Sequence, residues 1–492
     1  MSWSDLPGWA QELLPIGLLV LAVVIVFRRL PRIDVGHSDD FRMRRIRNWL
    51  PLGLTYAFLY MGRYNLKVSK FAFEEFKSAD GGPLMDNQDF GQIFAAGTIV
   101  YGFSFLINGP LTDRLGGRFS ILMGAAGAAF ANLLMGLASI ALLREWGAAD
   151  WIAAHFTLLF SVLYGLNMYF QSFGAVAIVK VNAPWFHVRE RGVFGAIFGI
   201  LISLGIYFAY DWGDLILAHL GLEWVFLVPA VLLVLFFGID FAIVRNTPGE
   251  AGVEDFDPED ASSGDDGPRL SAVQVFGRML RSPIIVTIAL VEFCSGFLRQ
   301  AIMQWYRTFA KQTDETLGLA DSFVYDNWGM LLCCAGILGG VFAGTLSDHL
   351  FQSRRGPVAF VLYTIMLAGS VTLLFAYDTA VVGWLVLFMS MAVIGVHGML
   401  SGTASMDFGG RRNVGVAVGI IDGFVYLGTA TMSLTYAWIL PKEQLDADGA
   451  LVGPATDPAN WSPWPLAMVP IALVGTLLAA RVWNATPRGK AG

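Results

Sequence analysis

The chain has 492 residues, 55% of them apolar and 14% charged, with a formal net charge of −7. Soluble globular chains carry about 25% charged residues, so a mean hydropathy of +0.59 excludes an ordinary soluble domain and indicates a polytopic membrane protein. The sequence contains no Gly-x-x-x-x-Gly-Lys-Ser/Thr stretch, catalytic triad or metal-ligand spacing, and Cys294, Cys333 and Cys334 all lie in apolar stretches. ATP-driven pumping, enzyme chemistry, a metal, a cofactor and a disulfide framework are therefore not expected.

Crossing a ~30 Å hydrocarbon core takes about 20 residues. Segments of that kind fall near 10–28, 49–69, 90–110, 119–143, 153–180, 192–212, 223–244, 283–308, 325–346, 357–377, 381–403, 412–439 and 464–483. None shows the alternation of an outer-membrane barrel, so all are read as helices. The first is the odd one and leaves six plus six. It has no basic residue before it and no small-residue cleavage site after it, so it is expected to be a retained span with its N-terminus outside.

Arginine placement sets the expected orientation. Arg28, Arg29, Arg32, Arg42, Arg44, Arg45 and Arg47 lie between the first and second spans. Every second loop thereafter is basic: Arg114 and Arg118; Arg189 and Arg191; Arg269, Arg278 and Arg281; Arg354 and Arg355; Arg411 and Arg412. The alternate loops are acidic: Glu74, Glu75, Asp80 and Asp86; Asp211 and Asp214; Asp314, Glu315 and Asp321; Asp446, Asp448 and Asp457. The expected setting is the cell (inner) membrane with a cytoplasmic C-terminus. Segment 245–282, rich in Asp, Glu, Ser and Gly, is expected to be a flexible cytoplasmic linker. The expected organisation is an extra helix in 1–32, a bundle in 48–245, the acidic linker in 246–282 and a second bundle in 283–484.

The two halves repeat one pair of charges. Arg63 lies inside one span, and the loop after the next reads Gly109-Pro-Leu-Thr-Asp113-Arg114-Leu-Gly-Gly-Arg118. Arg299 lies inside a later span, and its matching loop reads Gly344-Thr-Leu-Ser-Asp348-His-Leu-Phe-Gln-Ser-Arg354-Arg355. The offsets are 299 − 63 = 236 and 348 − 113 = 235. A charge at the centre of a bilayer costs roughly 2.5–3.5 kcal/mol on insertion scales, so each is a functional candidate. Equivalent charges in two repeats point to a transporter with its site between the halves.

The Gly109–Arg118 loop resembles the signature loop of the major facilitator superfamily. The stretches Tyr60-Met-Gly-Arg63-Tyr-Asn65-Leu-Lys67 and Gly296-Phe-Leu-Arg299-Gln300-Ala-Ile-Met-Gln304-Trp305 resemble its organophosphate:phosphate antiporter branch. So do Trp185-Phe-His-Val-Arg189-Glu190-Arg191-Gly192 and Gly398–Gly428, which carries Asp407, Arg411 and Arg412. The resemblance implies an all-α major facilitator fold of two six-helix bundles, here with one extra N-terminal helix. It also implies alternating access and two phosphate-binding arginines, Arg63 and Arg299. Asp113, Arg114, Arg118 and Asp348 would serve gating. Guanidinium suits this work because it stays charged in a low dielectric and offers a planar fork to an oxyanion.

Two positions depart from that branch. Its Trp-Asn and His-Asn pairs are here Phe198, Gly199, Ile202 and Ser203, and Phe105 follows Tyr101-Gly-Phe-Ser where glycerol-3-phosphate carriers have a lysine. Further candidates for the cavity wall are Tyr60, Asn167, Gln171, Gln300, Gln304 and Tyr426, with Tyr164 at helical spacing. Plain inter-helix hydrogen bonding is the competing reading for such polar residues. Glu292 or Asp422 is expected to carry a proton or to pair with an arginine, Glu292 lying two turns from Arg299. His397 reads as a hydrogen-bonded interior histidine, and Lys67 and Lys70 as cations snorkelling toward the membrane edge. The expected partners are a small anionic substrate and the lipid bilayer, without nucleic acid, in a monomer. The expected activity is exchange of a phosphate ester for inorganic phosphate. Transport of a carboxylate or other organic anion, or a sugar-phosphate sensor, are the alternatives.

Overall fold

The computed structural model describes residues 36–78, 81–187, 190–256, 280–351, 354–400, 405–446 and 449–484, with isolated positions in 17–28 and 274–277. For 191–196, 198, 348–349 and 405–418 it describes the backbone alone. Apart from those isolated positions, the expected span at 10–28 lies outside the described residues, as does the linker stretch 257–273.

The long helices of the N-terminal half are α1 (Asp39–Phe73), α2 (Asn87–Leu115), α3 (Gly117–Leu143), α4 (Phe156–Asn182), α5 (Arg191–Tyr207) and α6 (Leu222–Ile243). Those of the C-terminal half are α7 (Pro283–Gln312), α8 (Trp328–Thr345), α9 (Arg355–Ala376), α10 (Val382–Met399), α11 (Ser405–Ile439) and α12 (Pro463–Arg481). Helix α5 continues through a π-turn, Phe208–Trp212, into Gly213–His219. Ten helices among the described residues are long and apolar enough to cross a membrane. Helix α1 is not among them, because Arg63, Asn65, Lys67 and Lys70 interrupt its apolar run.

Local chemistry fixes the helix ends. Ser38 caps α1 by accepting from the Phe41 N–H at 3.2 Å, with Asp39 and Asp40 in the first turn and Lys70 in the last. A reciprocal capping box between Asp86 and Asp89 starts α2. Gly116, at φ 89°, separates α2 from α3.

The halves meet where α2 packs on α11 and α5 on α8, with α1 and α7 facing each other at the centre. Helices α7 and α11 approach backbone to backbone. A Cβ on Gly296 would lie 1.9 Å from the Val425 carbonyl oxygen, and one on Gly428 1.9 Å from that of Phe293. Small residues at such crossings are what membrane helices use to pack.

The linker differs from its expectation at its start. Arg245 N–H donates to Asn48 Oδ1 at 2.8 Å, and Asn48 Nδ2 returns a bond to the Arg245 carbonyl at 3.2 Å. Val253 and Phe256 pack on Phe41, Trp185 and Phe186, with the Phe256 ring edge-on to Phe41 at 5.4 Å. Val253 and Phe256, near the start of the acidic segment, are thus committed to the N-terminal half.

Candidate functional site

Arg63 is fully buried in the middle of α1. Its Nε donates to Gln171 Oε1 at 2.9 Å and one terminal nitrogen to the Tyr101 hydroxyl at 3.1 Å. The other donates to the hydroxyl of Tyr426, which belongs to the opposite half. The guanidinium lies over the rings of Tyr60, Tyr101 and Tyr426, with centroids at 4.4, 4.6 and 5.5 Å. All of these partners are neutral. Among the described residues no carboxylate lies in ion-pair contact with Arg63.

Arg299, on α7, is 5% exposed, and its Nε and one terminal nitrogen have no hydrogen-bond partner. The internal acid that the sequence offered it, Glu292, is turned elsewhere. Glu292 is buried, one of its oxygens lies 2.9 Å from Nδ1 of His397 on α10, and the other has no partner. A buried charge without a partner is costly, so the partly unpartnered Arg299 guanidinium is the conspicuous polar group at the centre.

The other cavity candidates divide. Gln171 holds Arg63 and donates to Asn167 Oδ1 at 3.0 Å. Asn167 donates to the Gly62 carbonyl at 2.8 Å, and the Tyr164 hydroxyl to that of Arg63 at 3.0 Å. Those two bind α4 to the backbone of α1, as plain helix–helix hydrogen bonding would have it. Gln304 donates to Gln300, which donates across the halves to the Tyr64 hydroxyl at 2.8 Å. Asp422 is buried on α11 one turn from Tyr426.

At the arginine-rich end, Asp113 accepts from Lys180 at 2.7 Å and the Arg118 side chain donates to the Phe241 carbonyl. The loop thereby ties α2 and α3 to the ends of α4 and α6 within one half. Arg114 is exposed. The side chains of Asp348 and of the segment around Arg411 lie outside what is described.

The lysines correct their expectation. Lys67 and Lys70 are buried rather than snorkelling. Lys67 donates to Thr308 on α7, and Lys70 is clasped by Glu74 and, at 2.8 Å, by Glu443. Glu443 also accepts from the Asn87 N–H at 2.8 Å and from Gln312 at 2.6 Å. Arg307 pairs with Asp214 at 2.8 Å, and Asp211 caps α8 through the N–H groups of Gly329 and Met330 at 2.7 and 2.8 Å. Residues of both halves are therefore interlocked at the acid-rich end. Burial pushes Glu443 up to about 7 despite Lys70 beside it. For Glu74 burial also acts upward, but Lys70 and Lys311 outweigh it and hold the carboxyl below its usual range.

Sequence reasoning missed Tyr64, Tyr101, Thr308, Glu443 and the Glu292–His397 pair. Glu443 lies in the loop whose acidity is read from Asp446, Asp448 and Asp457 alone. At the departing positions, Ser203 lies in the α5–α8 contact, where a Cβ on Gly336 would come within 2.5 Å of its Oγ, and Phe105 packs edge-on to Tyr101 at 5.0 Å.

A family model described as Major Facilitator Superfamily matches residues 52–433. The chain is 24% identical to the glycerol-3-phosphate transporter of Bacillus subtilis, covering 94% of this chain and 99% of that one. It is 24% identical to the membrane sensor protein UhpC of Salmonella typhimurium, covering 83% and 89%, and 24% identical to a probable hexose phosphate transport protein of Chlamydia pneumoniae, covering 92% and 94%. Among solved structures, a mutant of the nucleoside transporter NupG superposes with a TM-score of 0.61 at 11% identity, covering 90% of this chain and 100% of that one. A bacterial homologue of the lysosomal transporter Spinster superposes with a TM-score of 0.60 at 15% identity, covering 91% and 98%. At those identities the likeness concerns the fold.

Proposed function

The chain belongs to the Major Facilitator Superfamily, and on that premise we propose that it exchanges a phosphate ester for inorganic phosphate across the cell membrane. The observation that carries this reading is the pair of buried guanidiniums, one from each half, with no carboxylate in contact and Arg299 partly without hydrogen bonds. The names of the Bacillus and Chlamydia relatives point to the same substrate class.

In this reading an entering oxyanion takes the donors of Arg63 that now rest on Tyr101 and Tyr426, and completes the unused donors of Arg299. Neutral phenols are weaker acceptors than an anion, because charge-assisted hydrogen bonds are roughly twice as strong as neutral ones. Bridging α1 and α7 draws the halves together, and rocking about the bridge exposes the site on alternate sides. The acid-rich end faces outward, and its inter-half bonds must break for the site to open there. Two buried guanidiniums without a carboxylate partner among the described residues make reorientation of the empty carrier costly, which favours exchange over net flow.

The test is labelled-phosphate exchange in liposomes preloaded with inorganic phosphate. Exchange stimulated by external phosphate esters is the expected result, and its absence in folded protein would overturn the reading. A second reading draws on the name of the Salmonella relative: a sensor that binds the same ligand without moving it. Phosphate-ester binding with no flux would select it.

A further inference from the structure

The cations along the interface between the halves fall into two sets. Lys70 and Arg307 each lie on carboxylates, Lys70 on Glu74 and Glu443, Arg307 on Asp214. Arg63, Arg299 and Lys67 lie on none among the described residues. Lys67 is 1% exposed. Its ammonium donates to the Thr308 hydroxyl and otherwise faces aromatic rings: Phe90 at 4.6 Å, Phe71 at 5.2 Å and Trp305 at 5.5 Å. A buried ammonium has three donors to satisfy, and here one hydroxyl and three π faces meet it.

Lys67 follows Arg63 by four residues, so both project from one face of α1, separated by about 6 Å along the axis. Thr308 and Trp305 place that face against α7, the helix of Arg299. Among the described residues the interface therefore holds three cations with no acid in contact, two for a phosphoryl group and a third one helical turn toward the acid-rich end. A phosphate ester with a neutral tail carries at most about two negative charges at neutral pH, which leaves one of the three unanswered.

Resting on the organophosphate reading above, we propose that Lys67 binds a second anionic group, so that the preferred substrates are short phosphate esters bearing a carboxylate. Such a molecule carries between about 2.5 and 3 negative charges near pH 7, matching three cations. Thr308 holds the ammonium in the empty carrier and shares it with the carboxylate in the loaded one. The aromatic faces exclude water and contribute cation–π attraction without neutralising the charge. This also accounts for one of the two departures in the sequence, the one at Phe105. The positive charge that glycerol-3-phosphate carriers place on the second span stands here on α1, and Phe105 fills the vacated position.

The experiment compares two probes of matched size, 3-phosphoglycerate and glycerol 3-phosphate, as competitors of phosphate self-exchange in liposomes. The full-length wild type, Lys67→Met and Lys67→Arg are measured side by side, and the readout is the ratio of inhibition constants. Wild type should favour the carboxylated ester by about 10- to 100-fold, the range of one charge-assisted hydrogen bond. Lys67→Met should collapse the ratio to near one, and Lys67→Arg should restore most of it. Three results would overturn the proposal: a wild-type ratio near one, a ratio that survives Lys67→Met, or loss of all exchange in Lys67→Met, which would make Lys67 structural. Absence of phosphate self-exchange in the wild type would instead sink the underlying exchange reading.

Discussion

Two regions of the interface between the halves use the same residue types and differ in what answers the charge. At the acid-rich end every buried cation described has a carboxylate: Lys70 has Glu74 and Glu443, and Arg307 has Asp214. At the centre, Arg63 has amide and phenol partners, Lys67 has a hydroxyl and ring faces, and Arg299 is partly bare. A paired cation locks two elements together. An unpaired one is kept at a cost to stability, and an arriving anion recovers that cost. The contrast assigns locking to one region and binding to the other.

The largest expected effect is on transport at the centre. Arg63→Ala and Arg299→Ala should each lower phosphate exchange by about 100-fold or more, since each removes several charge-assisted bonds to the anion. Liposome flux measures this directly. A residual rate above a tenth of wild type, in either variant, would place the anion elsewhere.

Stability should move in opposite directions in the two regions. Arg307→Met leaves Asp214 alone and should lower unfolding stability. The loss should be smaller than the roughly 3–5 kcal/mol of a fully buried pair, because the Asp214 side chain is 34% exposed. Arg299→Met removes a charge that has no carboxylate in contact among the described residues and should leave stability unchanged or raise it by about 1 kcal/mol. Thermal melting in detergent reads both, and equal losses in the two variants would erase the distinction.

A smaller effect is expected at Gln171, which orients Arg63 without carrying charge. Gln171→Leu should weaken phosphate competition by about 10-fold, the worth of one hydrogen bond to a charged group. Full activity in that variant would show that the tyrosines alone hold the guanidinium.

The mildest prediction concerns pH. With the acid-rich end closed, burial raises Glu443 to about 7; opened to water, its pKa should fall toward the usual glutamate value of about 4.3. The closed form therefore binds the extra proton between those values. Closure is favoured as pH falls below about 7 and is lost as pH rises through it. Burial acts upward on Glu74 too, but Lys70 and Lys311 outweigh it and hold that carboxyl below its usual range. Spin labels at the exposed positions 77 and 450 should report a longer mean distance at pH 8 than at pH 5.5. Glu443→Gln should flatten the dependence, and the reverse slope would contradict the assignment.

The sequence disclosed the charges better than their partners. The 236-residue offset between Arg63 and Arg299 marked two positions that the structure brings to facing helices. The alternation of basic and acidic loops likewise anticipated the acid-rich end. Helical spacing shows Lys70 beside Glu74, but local patterning could not show the contacts between the halves, which are distant in sequence: Lys70 meets Glu443 at a separation of 373 and Arg63 meets Tyr426 at 363. For the same reason Lys67 and Lys70 read as snorkelling cations when they are buried between the halves. Glu292 shares a helix with Arg299, yet it faces His397, a partner 105 residues away. The start of the acidic linker was misread because its mean composition hides Val253 and Phe256, which are enough to dock it.

The most direct test of the assignment is ligand-induced thermal stabilisation of the purified protein by a phosphate ester, compared in wild type, Arg299→Gln and Arg307→Gln. Binding to the folded state stabilises it by RT ln(1 + L/Kd), where L is the free ligand concentration, so the melting temperature rises with the logarithm of ligand concentration above Kd. The account predicts a shift in wild type that disappears in Arg299→Gln and persists in Arg307→Gln, whatever the starting stability of each. A shift retained in Arg299→Gln, or lost only in Arg307→Gln, would contradict the division between a binding centre and a locking end.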